Sequence, residues 1–288
     1  MNNYVIFTDS GCDIKPELLA QWGIRSVDLT FRFVEEDKEY SNSEMDIKTF
    51  YDKMREGGVA KTAAVNVQTF KTVFEECLAA GLDVIYVGFS SGLSTTFNSA
   101  RIAAGELRGT YPERKVLTLD SLCASAGQGL LLKLAADKRD AGLEISALFD
   151  YLEGIKLSIC HWFTVDDLDY LKRGGRINPA VAFVGNLLGI KPVLHVDDEG
   201  HLVNVSKARG RKAALMALAD RYGALASECE GGIAYISHAD CLDDANYLSG
   251  LLKERYNATV TVVTDVGTVI GAHAGPGTLA LFFVGTSR

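Results

Sequence analysis

The chain has 288 residues, of which 48% are hydrophobic and 23% charged, and its formal net charge at pH 7 is -8. This composition predicts a folded protein with enough apolar mass for two cores, and it argues against intrinsic disorder. The excess of acidic residues argues against nucleic-acid binding and against more than transient contact with anionic membranes, so any basic site must be local.

The first half alternates short β-rich runs with amphipathic stretches, a pattern typical of a parallel sheet flanked by helices. Strands are predicted over residues 4–8, 26–33, 84–89 and 115–120. Helices are predicted over residues 15–22, 46–55, 67–80, 95–107 and 124–141. Asp46 is the predicted N-cap of the second helix, and Gly57 with Gly58 is its predicted end. We therefore expect an N-terminal three-layer α/β/α domain over residues 1–155.

After a helix predicted over residues 146–156, the strands follow one another more closely. Residues 191–196 and 202–205 flank the turn-like sequence Asp-Asp-Glu-Gly and predict a hairpin. Residues 158–163 lead from that helix into the second half. The remaining elements are predicted as a helix over 212–227, a strand over 233–237, a helix over 242–255, and strands over 259–264 and 278–284. The second half therefore predicts a mixed-sheet α/β domain over residues 156–288, and the whole chain belongs to the α/β class.

The six cysteines are scattered, with no C-x-x-C pair and no regular spacing to a histidine. This spacing predicts neither a zinc site nor a disulfide framework and is typical of free thiols in a reducing compartment. The first residues lack the segments of a secretory signal, and no apolar run is long enough to cross a bilayer. We therefore expect a cytoplasmic protein.

A cluster of hydroxyl side chains occupies residues 90–99, directly after the apolar run 84–87 and at the start of a predicted helix. The first N–H groups of a helix lack partners within the helix and favour anions, and serine or threonine hydroxyls add donors. A helix cap accounts for one such hydroxyl but not for the whole cluster. The junction therefore predicts an anion site.

Residues 88–92 match G-x-S-x-G, the nucleophile elbow of esterases, and lie at a predicted turn from strand to helix. Asp265 and His273 follow in the order expected of a hydrolase. The match is short, and no oxyanion loop precedes it. A serine hydrolase that uses Ser90, His273 and Asp265 is therefore the alternative hypothesis from the enzyme class.

Nucleotide and metal motifs are weak in this sequence. The Gly-Gln-Gly at residues 127–129 is only a fragment of a dinucleotide fingerprint, and G-x-x-x-x-G-K-[ST] is absent. This glycine pair more simply allows a helix to pack closely against its neighbours. Asp9 and Asp13, at the end of the first strand, lack the spacing of a metal site. We instead expect Asp9 and Ser10, at the carboxyl edge of the parallel sheet, to fix loops. No cofactor is predicted.

Two further groups of residues could contact a ligand or a partner. His273 lies in a predicted loop of small residues, 270–277, where a ligand can approach the backbone closely. Arg173 and Arg176 flank a glycine pair and could present guanidinium groups to a phosphate or an acidic partner. The simpler alternatives are a histidine bonded to a carbonyl and a solvated basic face.

Several segments together resemble the DegV family, the bacterial fatty-acid-binding proteins that carry the acyl chain for fatty acid kinase. These segments are Thr8-Asp9-Ser10, Lys61-Thr62, Ser90-Ser91-Gly92-Leu93-Ser94, Asp120-Ser121, Tyr170 to Ile177, Ile190-Lys191-Pro192 and Gly271 to Gly277. The resemblance spans nearly the whole chain. It implies two α/β domains with one long-chain fatty acid in a tunnel between them.

The resemblance also implies which residues hold the fatty acid. The family's threonine, serine and histidine for the carboxylate fall on Thr62, Ser94 and His273, with Thr95 as a possible fourth contact. Thr95 stands where the family usually has glycine, and residues 63–66 depart from the usual sequence after the threonine. The implied function is that of a non-enzymatic carrier.

The carrier would present the carboxylate to a separate dihydroxyacetone-kinase-like, ATP-binding subunit, which makes the acyl phosphate. Arg173 and Arg176 would belong to the surface that faces this partner or its phosphate. A lipid sensor that acts only through protein contacts is a third hypothesis.

Overall fold

The computed structural model describes residues 3–178 and 189–288. Its strands are β1 Tyr4–Asp9, β2 Ile24–Val27, β3 Thr30–Phe33, β4 Tyr40–Ser41, β5 Ala60–Ala63, β6 Asp83–Gly88, β7 Val116–Asp120, β8 Ile159–Thr164, β9 Ile190–Val196, β10 Leu202–Arg209, β11 Ile233–His238, β12 Thr259–Asp265 and β13 Leu279–Val284. Its α-helices are α1 Pro16–Gln21, α2 Ile47–Arg55, α3 Val67–Ala79, α4 Thr96–Thr110, α5 Ser125–Asp140, α6 Ile145–Ile155, α7 Asp169–Arg173, α8 Arg211–Leu225, α9 Leu242–Tyr256 and α10 Thr268–Ala274. Short 3₁₀ helices span Ser10–Cys12 and Lys156–Ser158.

The predicted parallel sheet is present, with strand order β2-β1-β6-β7. Successive side chains of a strand point to opposite faces, so Ile6 packs with α5 and α6 while Phe7 packs with α3 and α4. Helices therefore cover both faces, which confirms the three-layer arrangement. Asp46 caps α2 as predicted, because its carboxylate accepts the Thr49 N–H at 2.9 Å.

The single strand predicted over residues 26–33 is wrong. Its first part forms β2 of the parallel sheet, whereas its second part forms β3 of a separate antiparallel sheet ordered β4-β3-β5. Between them, the Leu29 N–H donates to the Ser10 hydroxyl at 2.9 Å instead of to a strand, so the chain leaves the first sheet there. The pattern of apolar residues continues across this break, which is why the sequence does not reveal it.

The second half forms the mixed sheet predicted from sequence, with order β10-β9-β8-β13-β11-β12. Its pairs are antiparallel except for β11 with β12, and the predicted hairpin of β9 and β10 is confirmed. One face packs on α8 and α9, and the other faces α5. Helix α5 is thus enclosed between the two large sheets, and its residues Ser125 to Leu132 are all buried. The division into domains 1–155 and 156–288 stays a prediction.

Two local predictions have clear outcomes. The segment around His273 is not a loop, because residues 268–274 form α10 and His273 lies in its last turn. The glycine pair in α5 does allow close packing, since a Cβ on Gly127 would lie 2.2 Å from His161 Nε2.

All six cysteines are free thiols. Among the residues that the structure describes, no helix is long and apolar enough to cross a membrane.

Candidate functional site

A cavity of about 490 Å³ opens between the inner face of the mixed sheet, α10 and the loops that follow β5 and β6. This volume lies within the range of roughly 300–1,000 Å³ that is typical of small-ligand sites. Most of its wall is apolar. The apolar side chains that line it include Leu29, Phe89, Leu93, Phe163, Leu171, Val196, Leu202, Val266, Val269, Ile270, Ala280 and Phe282.

Five of the six predicted site residues line this one cavity: Thr62, Ser94, Thr95, Arg176 and His273. They come from separate elements, namely β5, the loop before α4, the segment after α7, and α10. The sixth residue, Arg173, is exposed at the end of α7, where its guanidinium lies 5.0 Å from the centre of the Tyr170 ring. The fold therefore brings residues that are distant in sequence to one wall.

The Thr62 hydroxyl and the His273 ring form a hydrogen-bonded pair, with Oγ1 2.8 Å from Nε2. Burial, together with the nearby charges of Arg176 and Arg173, lowers the pKa of His273 to about 4. The ring is therefore neutral at pH 7 and carries one proton. His273 Nδ1 is buried without a hydrogen-bond partner among the described residues. We assign the proton to Nε2, from where it donates to Thr62.

Gly174 explains why the His273 ring fits where it does. A Cβ at position 174 would lie 2.2 Å from His273 Nδ1, closer than any side chain can approach. Gly174, the first glycine of the pair between Arg173 and Arg176, thus provides space for the imidazole ring of His273. Its role is to position His273, a function that sequence reasoning did not assign to it.

Ser94 is held by Thr96, a residue that sequence reasoning missed. Ser94 Oγ lies 2.9 Å from Thr96 Oγ1 and accepts the Thr96 N–H at 3.2 Å. Thr96 is fully buried, and its hydroxyl accepts the Val65 N–H at 3.3 Å. Either hydroxyl can donate in the bond between them. We assign the donor to Thr96, because its hydroxyl is fully buried and Ser94 is the partner for its proton, so the Ser94 proton is left for a group in the cavity.

Arg176 adds a positive charge to the same wall. Its Nε donates to the Leu93 carbonyl at 3.1 Å, and its Nη1 donates to the Gly174 carbonyl. These bonds hold the guanidinium beside the loop that carries Ser94. The Arg176 side chain is partly buried and lines the cavity, and its role towards a partner or its phosphate stays a prediction.

The serine hydrolase alternative is wrong, because its three residues do not meet. Ser90 is fully buried, and its hydroxyl donates to the Gly200 carbonyl at 2.9 Å. His273 bonds Thr62, and the carboxylate of Asp265 lies 3.8 Å from His238 Nε2. A catalytic triad needs a continuous chain of hydrogen bonds from serine to histidine to carboxylate, which these contacts do not provide.

A second polar group lies on the wall of the cavity away from these residues. Ser125 donates to the Asp13 carboxylate at 2.5 Å, and Ser125 Oγ lies 2.9 Å from Ser237 Oγ. Asp13 also accepts the Gly267 N–H at 2.9 Å, so its carboxylate links the segment after β1 to the start of α10. Burial raises the pKa of Asp13 to about 7. No sequence motif marks Ser125 or Ser237.

The arrangement can bind an anion at one wall of an otherwise apolar cavity. Thr62 and Ser94 each accept hydrogen bonds from a supporting group, so each has its own hydroxyl proton available. Arg176 supplies a compensating charge. A buried carboxylate requires such hydrogen bonds, since an unpaired buried charge is strongly unfavourable.

The sequence of the chain is similar to a known family and to members of it. The family described as "Uncharacterised protein, DegV family" matches residues 3–286 of the chain. A DegV domain-containing protein from Clostridium perfringens is 39% identical over 291 residues, covering 100% of this chain and 99% of the relative.

Two solved structures are similar over almost their whole length. DegV from Bacillus subtilis, described as a fatty acid binding protein, is 31% identical with a TM-score of 0.84, covering 98% of this chain and 99% of the other. The Fatty Acid Kinase B3 protein from Streptococcus pneumoniae, loaded with linoleic acid, is 23% identical with a TM-score of 0.85 and 99% coverage of both chains. The second likeness shows the shared fold alone.

Proposed function

The chain belongs to the DegV family, and from this premise we propose that it binds one long-chain fatty acid and presents the carboxylate to a separate ATP-dependent kinase subunit. The fatty acid would occupy the 490 Å³ cavity, between domains that we place at residues 1–155 and 156–288. The protein would act as a carrier without catalysing a reaction itself.

One observation carries this proposal: two hydroxyls with free protons, those of Thr62 and Ser94, line the same apolar cavity. A carboxylate accepts hydrogen bonds and donates none. It therefore suits two hydroxyl donors that each accept a hydrogen bond from a neighbouring group. Thr95 lines the same wall and forms no capping bond, so its hydroxyl is a further donor. The apolar walls then suit a hydrocarbon chain.

The neutral state of His273 matters for the proposed reaction. A protonated imidazole would form a fixed ion pair with the carboxylate and weaken it as a nucleophile. Hydrogen bonds hold the group while leaving its charge available. In the proposed step, a carboxylate oxygen bonds to the terminal phosphorus of ATP, the phosphorus–oxygen bond to ADP breaks, and an acyl phosphate forms.

The partner would supply ATP, because the chain carries no nucleotide motif. We propose a dihydroxyacetone-kinase-like subunit, in line with the Streptococcus pneumoniae protein that is part of fatty acid kinase. Arg173 is exposed and would contact the transferred phosphate or an acidic partner surface. Use of ATP implies that both proteins act in the cytoplasm.

Native mass spectrometry of gently purified protein tests the ligand. We expect a mass increase equal to one long-chain fatty acid. The Thr62→Val, Ser94→Ala double variant should bind added oleic acid at least about 100-fold more weakly, since two hydrogen bonds to a charged group are lost. Thr72→Val, on the exposed side of α3, is the matched control. Protein that is ligand-free and takes up no added fatty acid would show the proposal to be wrong.

The kinase step is tested by mixing the loaded protein with ATP and a dihydroxyacetone-kinase-like subunit and trapping acyl phosphate as the hydroxamate. We expect Arg173→Ala to reduce the trapped product at least tenfold while oleic acid affinity stays within twofold. Arg255→Ala, an exposed arginine on α9, is the control. If the wild-type pair forms no acyl phosphate, the sensor hypothesis replaces the carrier.

A further inference from the structure

The wall of the cavity carries a hydroxyl, that of Ser237, which the proposed carboxylate site does not use. Ser237 in β11 is fully buried and lines the cavity. It stands opposite Ala280 of β13, which in turn stands opposite Phe163 of β8. These three side chains share one face of the mixed sheet, so the hydroxyl lies in a row that is otherwise apolar.

Ser125 is the hydrogen-bond neighbour of this hydroxyl. Ser125 Oγ is the donor both to the Asp13 carboxylate at 2.5 Å and to Ser237 Oγ at 2.9 Å, so its single proton can serve either acceptor. A serine hydroxyl has one proton and two acceptor lone pairs. Ser237 uses at most one lone pair for Ser125. It therefore keeps its own proton and an acceptor lone pair at the cavity wall.

The backbone conformation of Ser125 indicates that the fold imposes the position of this residue. Its φ is +53°, in the left-handed region that residues other than glycine rarely adopt. Asp13, its partner, has a φ of +51°. The fold thus holds both residues in unfavourable conformations, and these conformations accompany the chain of hydrogen bonds that ends at Ser237.

The position of Ser237 along the cavity follows from the register of β13. The Thr278 hydroxyl donates to the Ala274 carbonyl at 2.9 Å, so Thr278 lies beside the end of α10 that carries His273. Ala280, which pairs with Ser237, is two residues further along the strand, or about 7 Å. Ser237 therefore faces the hydrocarbon chain of a bound acid instead of its carboxylate.

We propose that the cavity accepts a fatty acid with a hydroxyl group within its hydrocarbon chain, and that this group forms a hydrogen bond with Ser237 Oγ. This inference rests on the proposed function and names the class of fatty acid. An unpaired hydroxyl in an apolar cavity is unfavourable, so only a position opposite Ser237 is tolerated. The small side chain of Ala280 leaves room beside the Ser237 hydroxyl for the additional oxygen atom.

The experiment compares stearic acid with a series of monohydroxystearic acids in which the position of the hydroxyl varies along the chain. Binding is measured by calorimetry at pH 8, where Asp13, with its pKa of about 7, is ionised. We expect one positional isomer to bind at least as tightly as stearic acid, and isomers with distant hydroxyls to bind about tenfold or more weakly. Ser237→Ala should weaken the preferred isomer about tenfold and change stearic acid less than twofold.

Two further variants separate recognition from folding. Ser237→Thr keeps the hydroxyl and should keep the preference. Ser121→Ala removes another fully buried serine, whose hydroxyl donates to the Gly88 carbonyl and does not line the cavity. It should lower the melting temperature without changing the preference.

The inference is overturned if every hydroxylated isomer binds more weakly than stearic acid by a similar factor, or if the preference survives Ser237→Ala. Failure of stearic acid and all isomers to bind would instead refute the proposed function itself. Binding of stearic acid without any positional preference leaves the fatty-acid site intact and removes only this inference.

Discussion

Thr62 Oγ1 and His273 Nε2 lie 2.8 Å apart although 211 positions separate the two residues in the chain. Thr62 belongs to β5 of the small antiparallel sheet, and His273 belongs to α10, which packs against that sheet. The hydrogen bond therefore forms only when both halves of the chain have folded together. The neutral His273 ring donates this bond, so the Thr62 hydroxyl keeps its own proton to donate to a ligand.

We expect His273→Leu to weaken oleic acid binding about tenfold. The Thr62 hydroxyl would lose the donor that orients it, and one hydrogen bond is worth roughly 1 kcal/mol. His273→Gln should weaken binding less, because its side-chain amide also carries N–H donors. Titration calorimetry on the delipidated protein measures both. Equal losses in the two variants would contradict the assigned direction of the bond.

Thr96 is expected to matter for binding although it does not line the cavity. Thr96→Val removes the hydroxyl that donates to Ser94 and accepts from Val65, so Ser94 is free to turn its proton away from the ligand. We expect an affinity loss of about tenfold for Thr96→Val and nearly full rescue in Thr96→Ser.

The measurement that distinguishes positioning from loss of structure is carbon-13 NMR of oleic acid labelled at its carboxyl carbon. Thr96→Val should raise the pKa of the bound acid, because one donor to the carboxylate is weakened. An unchanged pKa together with a lower melting temperature would show that Thr96 only stabilises the fold.

Gly174→Ala should weaken oleic acid binding more than tenfold. The new methyl group would meet His273 Nδ1 at 2.2 Å, so the ring must leave Thr62 or the segment after α7 must shift. Gly154→Ala is the control, since a Cβ there meets nothing within 4 Å and lies within α6. The control should be neutral or slightly stabilising. Comparable affinities of the two variants would refute the packing role of Gly174.

The stability of the protein should respond to pH through two groups with opposite signs. His273 has a pKa of about 4 in the folded protein against 6.5 ordinarily, so the unfolded chain takes up a proton first as the pH falls. The contribution of His273 to the free energy of unfolding is complete above pH 6.5 and is lost as the pH falls towards 4. Asp13 has a pKa of about 7 against 3.8 ordinarily, so its contribution is complete below pH 3.8 and is lost as the pH rises to 7.

Urea unfolding of single variants separates these two effects. Between pH 4 and 6.5, each proton changes the unfolding free energy by about 1.4 kcal/mol per pH unit at most. As the pH falls from 6.5 to 4, His273→Gln should lose less stability than the wild type. As the pH rises from 4 to 7, Asp13→Asn should lose less stability than the wild type. Parallel pH profiles for all three proteins would rule out the assigned pKa shifts.

Much of the fold follows from the sequence by itself. The alternation of β-rich and amphipathic segments predicts the parallel sheet, its flanking helices and the mixed sheet, because the burial of alternate residues requires those patterns. The break between β2 and β3 escapes prediction, since both segments are apolar and only their pairing partners differ. Residues 268–274 also escape it, because a short helix rich in small residues has little periodicity.

The sequence also indicated which residues could hold an acid: the hydroxyls near the start of α4 and His273 by their pattern, and Thr62 through the family resemblance. The tertiary structure alone decided how these groups are used. It placed Thr96 behind Ser94, excluded Ser90 from any triad, turned Arg176 into the cavity and brought Ser237 to its wall. The physical reason is that a hydrogen bond depends on distance and direction between groups remote in the chain, which neither composition nor spacing records.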